Sequence, residues 1–326
     1  MFFMVRQFGG SVCTPATWTL RTAAAIREWF AVAFGGGLFA AVANATGAFD
    51  TQMAMTSSDG ITWTLRTTPS TPSTGGMEWT AITYGNGRFV AVASNGDDNR
   101  TMSSTDGTTW NLDTSGSTGN QWFGVTYDAT NTSFIAVSAN NTNRCITSTD
   151  DGATWTHRAI QSQGWRAVHA NAGVTIAVGD AGAVSKSTDG GVNWTAKTAA
   201  ASNDWAAVTY HSSSSRWVAV STTGTGNRVM TSDDDGDNWT SRTSAGDNQW
   251  RAIVSGSGVL VAVCSEGAGQ DLMTSDDGIT WTLRTSAKEQ NWDGIAFGAD
   301  TFVAVSVNNH VDDATNLLRV MTAGCS

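Results

Sequence analysis

The chain has 326 residues and a net charge of −10, with 40% hydrophobic residues, 15 Trp and 14% charged residues. So acidic a chain lacks the basic face that displaces counterions from DNA or RNA, and a nucleic-acid partner is disfavoured. No apolar run approaches the roughly 18 residues of a membrane span, while three Pro and abundant Thr, Ser, Asn and Gly suit short strands joined by turns.

In chain order, the opening "MFFMVRQFGG" is apolar but shorter than a signal-peptide core and has no basic leader, so it reads as a strand or arm. Next comes "TPATWTLRT", Thr14 to Thr22, a short strand beginning at Trp18. From Trp29 the chain repeats itself, and self-similarity is the first sign of a repeat architecture. Seven units follow one pattern: Trp and an apolar alternation, a Gly-rich turn, a second apolar run, a polar loop, a third run, an Asp-Gly turn, then Trp and a short run. The stretch "WTAITYGNGRFVAVASNGDDNRTMSSTDGTTWNLDTS" from Trp79 contains all of it. The units open at Trp29, Trp79, Trp122, Trp165, Trp205, Trp250 and Trp292. The second Trp is Trp63, Trp110, Trp155, Trp194, Trp239, Trp281 and, far away in the chain, Trp18. A residue type confined to two repeat slots is read as packing between units.

Each unit predicts four strands. The first alternates with period two, and the second is nearly continuous in apolar residues and so buried on both faces. Four short antiparallel strands repeated seven times make an all-β, seven-bladed β-propeller rather than a sandwich. The Gly-His and Trp-Asp pairs of a WD40 propeller are missing. The seventh unit, from Trp292, stops after its third strand at "RVMTAGCS", and its fourth strand stands at the other end of the chain. The expectation is a single propeller over 1–326, with the last blade built from about 292–326 plus 11–22 and the ring closed by the N-terminal strand.

The turn before the second Trp is written twice almost letter for letter: Met55–Thr67 and Met273–Thr285 differ only at Ser58 against Asp276. Three blades carry a longer form: Ser148, Asp150, Gly152, Trp155; Ser187, Asp189, Gly191, Trp194; and Ser232, Asp234, Gly236, Trp239. Three carry a form shorter by one residue: Ser57, Asp59, Gly60, Trp63; Ser104, Asp106, Gly107, Trp110; and Ser275, Asp277, Gly278, Trp281. This resembles the Asp box, or BNR repeat, of sialidase-like propellers, and the resemblance covers nearly the whole chain. It implies a structural hairpin between strands three and four on the outer rim. Locally, Asp and Ser bond turn amides and Gly takes the positive φ. Calcium at these carboxylates is disfavoured, because each turn lacks a ladder of oxygen ligands.

The same resemblance raises a sialidase, which needs three converging Arg, a Tyr nucleophile supported by Glu and an Asp acid/base. The three Tyr, Tyr84, Tyr127 and Tyr210, share one strand-one slot and read as packing. Arg21, Arg66, Arg158, Arg242 and Arg284 stand three after the second Trp, with Lys197 and Asp113 as variants, and read as a rim ladder paired with Asp. Arg166 and Arg251, just after a strand-one Trp, are expected near the channel. His157, His169, His211 and His310 show no metal spacing, and no phosphate loop or nucleophile elbow is present. A photosystem II assembly propeller is similar in repeat only. The expectation is therefore no enzyme, no catalytic residue, no cofactor and no metal.

Two loop sets share one face and vary freely, among them Asn44 to Gln52, Asn95 to Asn99, Thr222 to Asn227 and Asn308 to Asn316. Variable loops on a rigid scaffold are where partners bind. The expected role is a scaffold or attachment component of a large assembly, such as a tailed-phage virion. A carbohydrate-binding propeller is the alternative, and a sialidase-like glycoside hydrolase a remote one. Partners would be proteins of the assembly, or a glycan, and a virion surface is favoured over secretion. Cys13 stands five before Trp18, as the Asp of the longer box stands five before its Trp, and Cys325 takes the same slot at the other end of the chain. Those two form a candidate disulfide, while Cys145 and Cys264 read as small buried hydrophobes.

Overall fold

The apolar alternation after each opening Trp and the apolar run behind it fold as a pair of strands in every unit, and two shorter strands complete the sheet. The computed structural model describes residues 15, 17–44, 50–69, 77–95, 100–113, 119–140, 144–266, 268–307 and 317–325. Over these it forms seven four-stranded antiparallel sheets, and in six of them the strands lie in simple sequence order. Apart from two single-turn 3-10 segments, Asp180–Gly182 and Ser212–Ser214, the described regular structure is all strand. The first blade shows the plan: Glu28–Gly35 innermost, then Leu38–Asn44, Ala54–Ser57 and, at the rim, Thr64–Arg66.

Burial follows the sequence pattern. Second strands lie between neighbouring blades and are covered on both faces, as in Val259–Ser265, where every residue is buried. Continuous apolar residues are what such a strand requires. The strand-one Trp side chains are all buried. Five of them donate Nε1–H to the carbonyl four residues earlier: Trp29, Trp165, Trp205, Trp250 and Trp292, at 2.9–3.2 Å. Each of these bonds ties the linker entering a blade to its innermost strand.

The seventh sheet runs Thr19–Arg21, Val320–Gly324, Thr301–Val307, Asn291–Gly298. Its closing register is Thr19 to Thr322, Leu20 to Met321 and Arg21 to Val320. The N-terminal strand thus completes the C-terminal blade, as the missing fourth strand of unit seven predicts. Closure removes the open edges a broken ring would present.

The Arg ladder differs from expectation. Arg21, Arg66, Arg158, Arg242 and Arg284 each donate Nε–H to a Thr hydroxyl of the adjacent third strand at 2.8–3.0 Å. Each Thr lies diagonally across the ladder, two residues from the one paired with the Arg, as Thr56 does from Ala54. Lys197 alone follows the expected pairing, with Nζ 2.8 Å from Asp237. Asp113, the variant in the second blade, accepts from Ser103 instead, and burial pushes its carboxyl up to about 6.

Candidate functional site

In all seven blades the innermost pair of strands slips register at one place: Trp29/Ala31, Trp79/Ala81, Trp122/Gly124, Trp165/Ala167, Trp205/Ala207, Trp250/Ala252 and Trp292/Gly294. The residue passed over is always the one after the Trp. A bulge turns its extra side chain out of the ladder. The seven side chains so released, Phe30, Thr80, Phe123, Arg166, Ala206, Arg251 and Asp293, line one hollow on the propeller axis. Toward the loops it opens into a cavity of about 310 Å³ that Asp180, Asp204 and Thr222 also line. Beneath the ring stand small residues, among them Ala31, Ala81, Gly124 and Gly294. A Cβ on Gly294 would lie 2.7 Å from the Phe30 carbonyl oxygen, so adjacent blades meet here only because the side chain is absent.

The ring has two halves. Blades one to three present Phe30, Thr80 and Phe123, with Thr80 donating to the Trp122 carbonyl at 2.6 Å and so pinning the second blade to the third. Blades four to seven present Arg166, Ala206, Arg251 and Asp293. Arg166 donates Nε–H and an Nη2 hydrogen to the two oxygens of Asp180, at 2.8 and 2.9 Å, and lies 4.9 Å over the Phe123 ring. Asp204 accepts from the Ala181 amide at 2.9 Å. Arg251 donates to Ser265 at 3.0 Å and to Gln249 at 3.1 Å. Its Nε is 3.9 Å from Asp293, beyond hydrogen-bond range. Burial pushes the Asp293 carboxyl up to about 7, with Arg251 drawing it down and Glu28 adding to the rise. Among the described residues no group of three or more His, Cys, Asp or Glu side chains is placed to hold a metal ion.

Arg166 and Arg251, expected near the channel, both face it. Phe30, Phe123 and Asp293 were not anticipated. The signal for them was present: between an invariant Trp and an invariant Ala or Gly, one position per blade changes freely. The ring brings together two Arg, not the three that sialidase chemistry needs.

The Ser-Asp-Gly-Trp turns join strands three and four. With antiparallel strands in sequence order, that puts them on the face opposite the ring. In each turn Ser Oγ donates to Asp Oδ1: Ser57 to Asp59, Ser104 to Asp106, Ser148 to Asp150, Ser187 to Asp189, Ser232 to Asp234 and Ser275 to Asp277, at 2.7–3.0 Å. The same carboxylates accept turn amides, as Asp59 does from Ile61 and Thr62 and Asp277 from Ile279 and Thr280. The glycines Gly60, Gly107, Gly152, Gly191, Gly236 and Gly278 all have φ between 68° and 85°. Trp63, Trp110, Trp194, Trp239 and Trp281 donate Nε1–H to the carbonyl of the turn glycine three residues earlier. A Cβ on Gly236 would strike Ile176 of the preceding blade at 2.3 Å, and one on Gly60 would strike Val303 at 2.8 Å. The turn is therefore a clasp between neighbouring blades.

Cys145 and Cys264 are buried free thiols, each pushed up to about 12 by burial. Cys325 is disulfide-bonded, and Cys13 lies outside the described residues. Of the four variable loops, Thr222 to Asn227 is described and Thr222 reaches the cavity. The segments 45–49, 96–99 and 308–316 lie outside the described residues.

No family model matches the chain, and no curated protein matches its sequence. Solved structures match the fold. A catalytically inactive virginiamycin B lyase from Staphylococcus aureus, crystallised with quinupristin, superposes with TM-score 0.73 at 13% identity, covering 94% of this chain and 99% of its own. A streptogramin B lyase gives TM-score 0.75 at 10% identity, covering 95% and 98%. YCF48 bound to D1 peptide gives TM-score 0.69 at 14% identity, covering 96% and 99%. At such identities the likeness shows the seven-bladed propeller and nothing finer, and membership of the Asp-box sialidase-like family is not confirmed. One expectation is overturned. The chain was expected not to be an enzyme, yet lyases carry this architecture over nearly its whole length. No helix among the described residues is long and apolar enough to cross a membrane.

Proposed function

We propose that this propeller is a scaffold that docks a segment of a partner protein in the axial pocket of its variable-loop face. The observation that carries the reading is the bulge ring. Seven equivalent positions, each preceded by an invariant Trp, hold Phe, Thr, Phe, Arg, Ala, Arg and Asp. A scaffold held constant around one variable position per blade is the pattern of a recognition surface. A cavity of about 310 Å³, with aromatic faces on one side and charged groups on the other, suits one or two side chains of a peptide. YCF48, similar in fold, is known with a bound D1 peptide, so a propeller of this fold can carry a peptide ligand. The finer reading, an attachment component of a large assembly such as a tailed-phage virion, rests on the sequence alone. The carbohydrate-binding alternative needs aromatic platforms repeated in every blade. The repeated strand-one Trp are packed inside the blades, which favours the protein partner.

The test is selection of random peptides displayed on phage against the purified chain, followed by binding to ring variants. Phe123→Ala and Arg166→Ala should each weaken the selected peptides at least about tenfold, and Asp234→Ala in a turn of the opposite face should not. Peptides that bind all three variants equally would refute docking at the ring.

A further inference from the structure

Two carboxylates of the axial pocket stand in opposite conditions. Asp180 is fully engaged, with both oxygens bonded by Arg166 at 2.8 and 2.9 Å. Asp293 is not. Its Oδ2 is buried with no hydrogen-bond partner, and its side chain is 14% exposed at the pocket wall. The neighbouring cation does not satisfy it: Arg251 stays 3.9 Å away and gives its Nε–H and an Nη2 hydrogen to Ser265 and Gln249. Glu28, at the start of the first blade's innermost strand, is near enough for its charge to push the Asp293 carboxyl up further. A buried carboxylate without a partner costs free energy that a bound cation restores.

Building on the docking reading above, we propose that the corner of the axial pocket formed by Asp293 and Phe30 receives a primary ammonium group, the tip of a lysine side chain on the docked partner. Phe30 follows Asp293 around the ring and lends an aromatic face, on which a cation is attracted by the ring quadrupole. The corner is cramped, since Gly294 already meets the Phe30 backbone, and one oxygen stands unpartnered. That fits a compact ammonium better than a guanidinium, which seeks two oxygens in a plane. Rotation about χ2, a soft torsion in Asp, brings the unpartnered oxygen to the pocket side. The elevated carboxyl of Asp293 agrees with a group whose counterion is missing. The charges acting on it are Arg251 from the sixth blade and Glu28 from the first.

The experiment uses n-butylammonium as a lysine-tip probe and butyrate as its anionic counterpart, observed by saturation-transfer NMR on the full chain at pH 8. Butylammonium should bind saturably, and Asp293→Asn should reduce its signal at least fivefold while keeping a single melting transition. Equal butylammonium signal in Asp293→Asn overturns the assignment. So does butyrate binding that Arg251→Ala abolishes, which would make the corner an anion site. The peptides selected above separate this inference from the docking reading. If they depend on Phe123 and Arg166 but neither on Asp293 nor on a lysine of their own, docking stands and the ammonium assignment falls. If they ignore every ring variant while butylammonium still needs Asp293, docking falls and the small-cation site remains.

Discussion

His211 and Ser255 face each other across the fifth and sixth blades, with His211 Nδ1 2.8 Å from Ser255 Oγ. His211 Nε2 is 3.0 Å from the Asp276 carbonyl, which can only accept, so Nε2–H donates there. At the equivalent place four other interfaces oppose a glycine to an aromatic ring: Gly35 to Tyr84, Gly85 to Tyr127, Gly256 to Phe297 and Gly298 to Phe34. Large faces small in one order or the other. Ser255→Phe should therefore clash with the buried His211 and cost about 1–3 kcal/mol. His211→Gly with Ser255→Phe should rebuild the commoner arrangement. Urea denaturation of the four-member cycle should give a favourable coupling above about 1 kcal/mol. Additive losses would mean that the two sites do not share one space.

Ring closure predicts how the chain melts. Thr19–Arg21 supplies the last strand of the seventh blade, and Trp18 beside it packs on Phe302 with ring centroids 6.4 Å apart. We expect one cooperative thermal transition for the full chain, as a single domain over 1–326. Deleting residues 1–22 should lower the midpoint by at least about 10 °C, because an edge opens and the core around Phe302 is uncovered. A truncated chain that melts like the full one would remove the structural role of this strand.

The turn carboxylates should matter for stability and not for docking. Asp189 accepts from Val192 and Asn193, and Asp234 from Asn238. Asp189→Ala and Asp234→Ala should each cost about 1–3 kcal/mol, the range for stranding turn amides, with peptide binding intact. The bonds from the Asn238 side chain and amide hold Asp234 at about 2. Its contribution is thus present above the ordinary carboxylate range near 4 and lost as pH falls toward 2. Acid titration of the melting temperature should be shallower over that window in Asp234→Ala.

The sequence was most legible where the same physics recurs. Trp29 and its six equivalents, the double-faced burial of strands such as Val259–Ser265, and the Thr19–Arg21 closure all follow from a pattern written seven times. The ring was half legible. Arg166 and Arg251 stood out because Arg is unusual beside a strand-one Trp. Phe30, Phe123 and Asp293 did not, because a Phe or Asp in an inner strand reads as core or turn until the bulge is seen to aim it at the axis. A bulge depends on the partner strand and leaves no mark on one strand alone. The Arg ladder was misread for a related reason: Arg66 and Thr56 lie ten positions apart, and only the register of the pairing brings them together.

Four cysteines allow three pairings from sequence alone. Cys145 and Cys264 are free and buried, and Cys325 is disulfide-bonded. We predict Cys13 as its partner, on the slot equivalence of the two chain ends. Peptide mapping of protein isolated without reductant should recover Cys13 joined to Cys325. Reduction should then lower stability by at most about 5 kcal/mol, the loop-entropy gain for so long a ring. A Cys13 peptide found only as the free thiol would sink the pairing.

The last prediction concerns Asp293 and pH. Its carboxyl, at about 7, lies above the ordinary value near 4. Between those limits the folded chain holds this proton more tightly than the unfolded chain does. The sign follows: Asp293 lowers stability progressively as pH rises from about 4 to about 7, and the penalty is complete above that. Asn keeps the shape and cannot ionise. Asp293→Asn should therefore raise the melting temperature at pH 8 by about 2–6 °C, equivalent to roughly 1–3 kcal/mol, and leave it unchanged near pH 4. A bound ammonium would act in the opposite direction on the unaltered chain, stabilising it at pH 8 and not at pH 4. Melting curves at the two pH values, with and without butylammonium, separate the terms: no gain for Asp293→Asn at pH 8 would mean that Arg251 neutralises Asp293 despite the 3.9 Å gap.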